Sequence, residues 1–285
     1  MNLSIKLFFF MLVAISSATF SLPSFAANEI IFSAPPRGSA EKENKVYKPI
    51  AAYLSKVLRK KIIYQHPGNW LSYQHNMQIG KYDLVFDGPH FVSWRILKIN
   101  HVPLVKLPGK LAFNIIVAKN SEHLKNKHIK SYKDLTGRTV CGLAPPNLAT
   151  LTLYSLYTNP VRQPLVVEIK SFPDGYAKAI DGTCVGAVMR DKMFNKLNKK
   201  KKAGRVIFKS KGITNQAFSA GPRFSAKDKE KLVVALLSKS AAGQMQAFHK
   251  RFNKKGKPLL SAKKQDFDGL ALLLKDVWGF SLPDI

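Results

Sequence analysis

Apolar positions along this chain switch repeatedly between a spacing of two and a spacing near 3.6, the periods of strands and helices. The stretch "EIIFSAPP" predicts a strand running into a loop. In "ENKVYKPIAAYLSKVLRK", Val46, Ile50, Leu54, Val57 and Leu58 recur at helical spacing, and Pro49 falls in the first turns, where proline is tolerated. A second strand, "KIIYQH", a helix "WLSYQHNMQIG" closed by Gly80, and a third strand, "YDLVFDG", complete a βαβαβ unit. That order makes a parallel sheet with helices on its faces. Strand residues Leu84, Val85 and Phe86 then stop at Asp87-Gly88-Pro89, and a helix-like segment with His90, Phe91, Trp94 and Arg95 follows.

The same rhythm returns later. "RTVCGL", "PLVVEI" and "CVGAVMR" read as strands, and "NLATLTLYSLY", "PDGYAKAI" and "DKMFNKLNKKKK" as the helices after each. Two βαβαβ units imply an α/β protein of two lobes. "LAFNIIVAKN" and "RVIFKSKGITNQAFSAGPRF" are extended and lie where the chain must cross between them. The tail reads as helices only: "SAKDKEKLVVALLSK", opened by Ser225 and Asp228 in capping-box spacing, then "AAGQMQAFHKRFN" and "FDGLALLLKDVW". Residues 27–115 and 217–285 are therefore expected in lobe one and 116–216 in lobe two. Two lobes with two crossings describe a hinged ligand trap. Ligands of open α/β sheets bind outside the carboxyl ends of the strands. The loops leaving strands are "SAPPRG", "DGPHF", "LAPPNLAT" and "MRD".

The N-terminus changes what counts as the mature protein. Lys6 precedes the apolar run "LFFFMLVAISSATF", and Ser24 and Ala26 stand where a signal peptidase reads small residues. Residues 1–26 are expected to be a cleaved signal that sends the chain to the periplasm. In that oxidising compartment, Cys141 and Cys184 are expected to pair. They fall in the first and third strands of lobe two, which are neighbours in the strand order 2-1-3 usual for such lobes. Neighbouring strands lie about 4.8 Å apart, inside the Cα range a disulfide accepts.

Net charge is +29, a balance suited to an anionic partner. Much of it sits in runs such as "NKKKKAGR", which read as solvated faces rather than as a nucleic-acid site. No nucleic-acid module accompanies the charge. Enzyme motifs are missing too, with no G-x-S-x-G elbow, P-loop or H-E-x-x-H. No cofactor and no resident metal is expected. Arg37 is placed to clamp an anion bidentately from the loop after the first strand. Arg190 and Asp191 end a buried strand with one charge of each sign, and a salt bridge across the lobe is the competing role for them.

"FSAPPRGS", "VYKPIAAYLSKVL", "YDLVFDGPHFVSWR" and "CGLAPPNLATL", in that order, resemble the PhnD-like periplasmic solute-binding proteins. These are the phosphate, phosphite and phosphonate-binding components of ABC transporters. The resemblance implies a type II periplasmic-binding-protein fold, each lobe a mostly parallel sheet, with a ligand at the lobe interface and no catalysis. It implies as partners a small anionic solute and an inner-membrane ABC permease, with the protein itself a monomer. By position, it implies ligand contacts at Tyr47, at Asp87, His90 and Phe91, at Asn147 and Thr150, and at Met189 to Asp191. Where the family usually offers a serine- and threonine-rich loop to the oxyanion, this chain has "APPNLATL", with Asn147 and Thr150 as its side-chain donors. Two other roles suit the same fold: a free sensor that docks to a membrane receptor, and iron capture by Tyr82, Asp87 and His90.

Overall fold

The computed structural model describes residues 29–119, 128–275, 277, 279 and 280. The expected signal segment lies outside them. Strands Ile30–Ser33 (β1), Ile62–Tyr64 (β2) and Leu84–Asp87 (β3) run parallel with β1 in the middle. Phe32 stands between Tyr64 and Leu84 in register. The connecting helices are Ala40–Leu58 (α1) and Trp70–Gln78 (α2), and Pro89–Ile99 (α3) follows β3. The face of α1 carrying Val46, Tyr47, Ile50, Leu54 and Leu58 is buried, as its spacing requires. Pro89 occupies the first turn of α3, where its missing N–H costs nothing.

The second lobe repeats the plan. Thr139–Gly142 (β6), Leu165–Glu168 (β7) and Gly186–Arg190 (β8) are parallel with β6 in the middle, joined through Leu148–Tyr154 (α4) and Phe172–Asp181 (α5). Asp191–Lys201 (α6) leads to Gly204–Lys209 (β9). Phe113–Ala118 (β5) lies between β8 and β9, antiparallel to both. Back in the first sheet, Ala217–Ala220 (β10) pairs antiparallel with β3 and with Val102–Lys106 (β4). Ala226–Leu237 (α7), opened by the Ser225–Asp228 capping box, and Gln246–Phe252 (α8) cover it, and Leu260–Ser261 (β11) pairs with β4 at the edge. The sheets therefore order as β11-β4-β10-β3-β1-β2 and β7-β6-β8-β5-β9.

Cys141 and Cys184 form a disulfide with 5.8 Å between their Cα atoms. Cys141 sits in β6, whereas Cys184 stands in the turn just before β8, not inside that strand.

Three sequence expectations change. "LAFNIIVAKN" does not cross between lobes, because β5 lies wholly in the second sheet. The border drawn between residues 115 and 116 thus falls inside a strand. The crossings are residues 107–112 and 210–216, tied by paired 2.9 Å hydrogen bonds between Leu111 and Ile213 and by Leu107 N–H to the Gln216 carbonyl. The tail is not helical throughout, since β11 interrupts it. Among the described residues its last stretch forms 3-10 turns at Lys264–Phe267 and Leu270–Leu274, separated at Gly269 with φ 70°. Among the described residues no helix is long and apolar enough to cross a membrane.

Candidate functional site

Each sheet contributes three mutually parallel strands, and the loops at their carboxyl ends enclose a cavity of about 730 Å³ between the lobes. From lobe one come Pro36 and Arg37 after β1, Trp70 after β2, and Gly88 to His90 after β3. Lobe two supplies residues 143–148 after β6, Glu168 at the end of β7 with Ile169 and Lys170 after it, and Arg190 at the end of β8. Phe113 and Gln216, flanking the two crossings, line it as well.

Arg37 and Arg190 reach this space from opposite lobes. The Arg37 guanidinium lies 6.0 Å from the Phe86 ring centre and 5.8 Å from that of Phe252, so two aromatic faces steady it. Its Nη1 is buried without a hydrogen-bond partner. Burial, followed by the charge of Arg37, pulls the Arg190 guanidinium below its ordinary pKa. Neither arginine forms an ion pair among the described residues. Lys170 adds a third cation to the lining, against the single carboxylate of Glu168. Two half-buried guanidinium groups at one cavity, neither held in an ion pair among the described residues, are able to clamp an anion.

His90 lines the cavity in a different capacity. Its Nε2 donates to the Pro146 carbonyl of lobe two at 3.2 Å, which fixes the proton on that nitrogen. Burial lowers its pKa to about 3, so the imidazole is neutral at physiological pH and contributes no charge. The ring stacks on Phe91 at 4.1 Å and folds back over Gly88, where a Cβ would stand 2.6 Å from Cε1. Glycine is required here by the histidine. The strand-ending sequence Asp87-Gly88-Pro89-His90 is thus an anchor, a clearance, a helix start and a contact between lobes.

Asp87 belongs to the interior, not to the cavity. Its carboxylate accepts from the Tyr73 hydroxyl, from Arg95 Nε at 3.4 Å and from the Gly88 N–H at 2.8 Å, and it is fully buried. Burial pushes its pKa up, against the pull of Arg95 and Arg37. Tyr47 is likewise fully buried, stacked on Tyr64 at 4.9 Å, because the helix face that carries it is the core face of α1. Burial raises its pKa. Phe91 packs under His90 and against Tyr73. Thr150 is spent on the Leu143 carbonyl at 2.5 Å, and the Asn147 side chain caps its own helix at Ala149 N–H, although Asn147 remains on the lining. Asp191 accepts from Asn114 at 3.0 Å and ties β5 to α6. Of the nine expected contacts, then, Arg37, His90, Asn147 and Arg190 meet at the cavity; Tyr47, Asp87, Phe91, Thr150 and Asp191 do not.

The iron-binding set does not assemble either. The Tyr82 hydroxyl accepts from Asn76 at 2.9 Å, and the described residues contain no group of three metal-ligating side chains.

Sequence reasoning passed over Trp70, Glu168, Lys170 and Phe172. Glu168 ends the edge strand β7 and the other three follow the edge strands β2 and β7, in "QHPGNW" and "EIKSF". The strand-end rule that found the other loops applies equally to these.

Two three-layered lobes, two paired crossings and a cleft at the strand ends define a type II periplasmic binding protein. The chain matches the family model for the ABC transporter, phosphonate, periplasmic substrate-binding protein over residues 32–266. It belongs to that family, and so binds a small solute as the partner of an ABC permease. Curated protein sequences offer no match. Among solved structures, PhnD1 from Prochlorococcus marinus in complex with methylphosphonate is similar at 15% identity and a TM-score of 0.61, covering 87% of this chain and 97% of its own. XAC2383 from Xanthomonas citri, bound to ATP, gives 10% identity and 0.68 over the same shares. The binding protein of an ABC phosphonate transporter (PA3383) from Pseudomonas aeruginosa gives 12% identity and 0.58, covering 84% of this chain and 83% of its own. At such identities the likeness speaks for the fold.

Proposed function

We propose that this protein captures a phosphonate- or phosphate-like anion between Arg37 and Arg190 and delivers it to an ABC importer without chemical turnover. The observation that carries the reading is the pair itself: two guanidinium groups from opposite lobes, around one cavity, neither paired with a carboxylate among the described residues. An anion held by both pulls the lobes together, and the paired crossings at 107–112 and 210–216 are the hinge. His90 and Asn147 shape the cleft, and the backbone near Pro146 meets the ligand from lobe two. Residues 27–106 and 217–285 would move as one lobe and 113–209 as the other. The chain acts as a monomer in the periplasm after loss of residues 1–26 and binds no nucleic acid. Methylphosphonate and ATP in two structural relatives are consistent with an anionic ligand.

Calorimetric titration with methylphosphonate and phenylphosphonate tests this reading. A hydrogen bond to a charged group contributes about 1.5–3 kcal/mol, so Arg37→Ala and Arg190→Ala should each weaken binding by roughly ten- to a hundredfold. Unaltered affinity in both variants would reject the site, and release of phosphate from the ligand would make the protein an enzyme.

A further inference from the structure

The cavity is much larger than an oxyanion. A tetrahedral phosphonate head occupies only a few times the ~30 Å³ share of a water molecule. The cleft holds about 730 Å³, within the range of sites for drug-sized organic ligands, about 300–1,000 Å³. This space is not the mark of a widely open cleft. His90 already touches Pro146 across it, and Leu151 of lobe two is buried in a lobe-one cluster with Tyr73, Phe91 and Leu274.

Strand order separates the charge from the apolar wall. Arg190 leaves β8, whereas Ile169 and Phe172 follow β7, two strands further out in the order β7-β6-β8. At about 4.8 Å per strand, that is about 10 Å. In lobe one, Arg37 follows β1 and Trp70 follows the edge strand β2 next to it. Trp70 is 36% exposed although it is among the largest apolar side chains of the protein. Pro145 and Leu148 fill the span between the two ends. At the β7 end Glu168 and Lys170 offset each other, so nothing there calls for a second anionic group.

Accepting the anion site between Arg37 and Arg190, on which this step rests, we propose that the ligand is an organic oxyanion with a flat apolar body: the phosphonate or phosphate head at the arginines, the body between Trp70 and the Ile169–Phe172 wall. Inorganic phosphate and short alkylphosphonates fill the charged end and leave the apolar wall wet. An aryl substituent covers it and removes that surface from water.

The experiment titrates the full mature protein with phenylphosphonate, methylphosphonate and inorganic phosphate by calorimetry, in wild type, Trp70→Ala and Arg37→Ala. Thermal melting of each unliganded variant confirms that it is folded. Wild type should bind phenylphosphonate at least tenfold more tightly than the other two, and Trp70→Ala should bring that ratio close to one. Arg37→Ala should weaken every anion that binds. Equal or tighter binding of methylphosphonate or phosphate, with Arg37→Ala still weakening it, would overturn the apolar body and leave the anion site standing. A ratio unchanged by Trp70→Ala would also overturn the proposal. Binding of none of the three, or binding indifferent to Arg37→Ala, would overturn the proposal and the anion site together.

Discussion

Asp87 and Arg95 meet at 3.4 Å with both side chains wholly excluded from solvent, and Tyr73 bonds to each of them. A buried ion pair adds little net stability, but losing one partner leaves the other charge uncompensated at a cost of about 3–5 kcal/mol. Asp87→Ala should therefore destabilise the fold by an amount in that range, read as a drop in the urea midpoint. A fully stable variant with abolished ligand binding would return Asp87 to the site. Histidine burial has a consequence of opposite origin. His90, with its pKa lowered to about 3, and His101, held well below its ordinary value by burial, stay neutral in the fold but take up protons once unfolded below about pH 6.5. The unfolded state then binds more protons, so stability falls as pH falls. Between pH 7.5 and 5 the His90 contribution alone is a loss of about 2 kcal/mol. Urea titrations at the two pH values should show the loss in wild type and a smaller one in His90→Gln. A stability that rises towards pH 5 would contradict the buried neutral state.

Among the elements, β6 and the turn into β8 are joined by the Cys141–Cys184 bridge, which closes a loop of 43 residues carrying α4, β7 and α5. The chain-entropy account gives about 4 kcal/mol for such a loop. The Cys141→Ser, Cys184→Ser double variant should lose up to that much in denaturant, and a loss below about 1 kcal/mol would show that the reduced chain is already constrained. The two βαβαβ units were legible because short apolar runs alternate with longer helical stretches and turn residues separate them. The antiparallel strands were less so: β5, β9 and β10 read as extended segments without a place in a sheet, and β4 and β11 were not legible. In β4, "VPLVK", Pro103 and Lys106 blur the alternation, and β11 has two residues, too few to carry any. That β5 pairs with β8 and β9, and does not cross between lobes, depends on partners far away in sequence. The site was half legible for a related reason. Strand ends announce themselves as Pro, Gly and charged residues, but whether a residue there faces the cleft or the core is set by the helix packed over it. Tyr47 and Arg37 are ten residues apart and equally plausible on paper; the α1 core face takes one and the β1 loop releases the other.

For the whole molecule, the net charge of +29 and the affinity of the cleft are separate matters. Lys199 is nine residues beyond Arg190 along α6, about 13 Å at 1.5 Å per residue, and exposed charges are screened within about 8 Å at physiological salt. Replacing Lys199, Lys200 and Lys202 by Gln should leave affinity within about twofold in calorimetry at physiological salt, whereas a tenfold loss would place the ligand in the field of that surface. The anion acts mechanically as well as electrostatically, as a bridge between two lobes that also touch at His90–Pro146, around Leu151 and at the hinge. Small-angle scattering with and without saturating phenylphosphonate or methylphosphonate tests it most directly, in wild type and in Arg190→Ala. Wild type should compact on binding, and Arg190→Ala, able to hold the anion from lobe one alone, should not. Equal compaction in both proteins, or none in wild type at saturation, would contradict an anion held between Arg37 and Arg190.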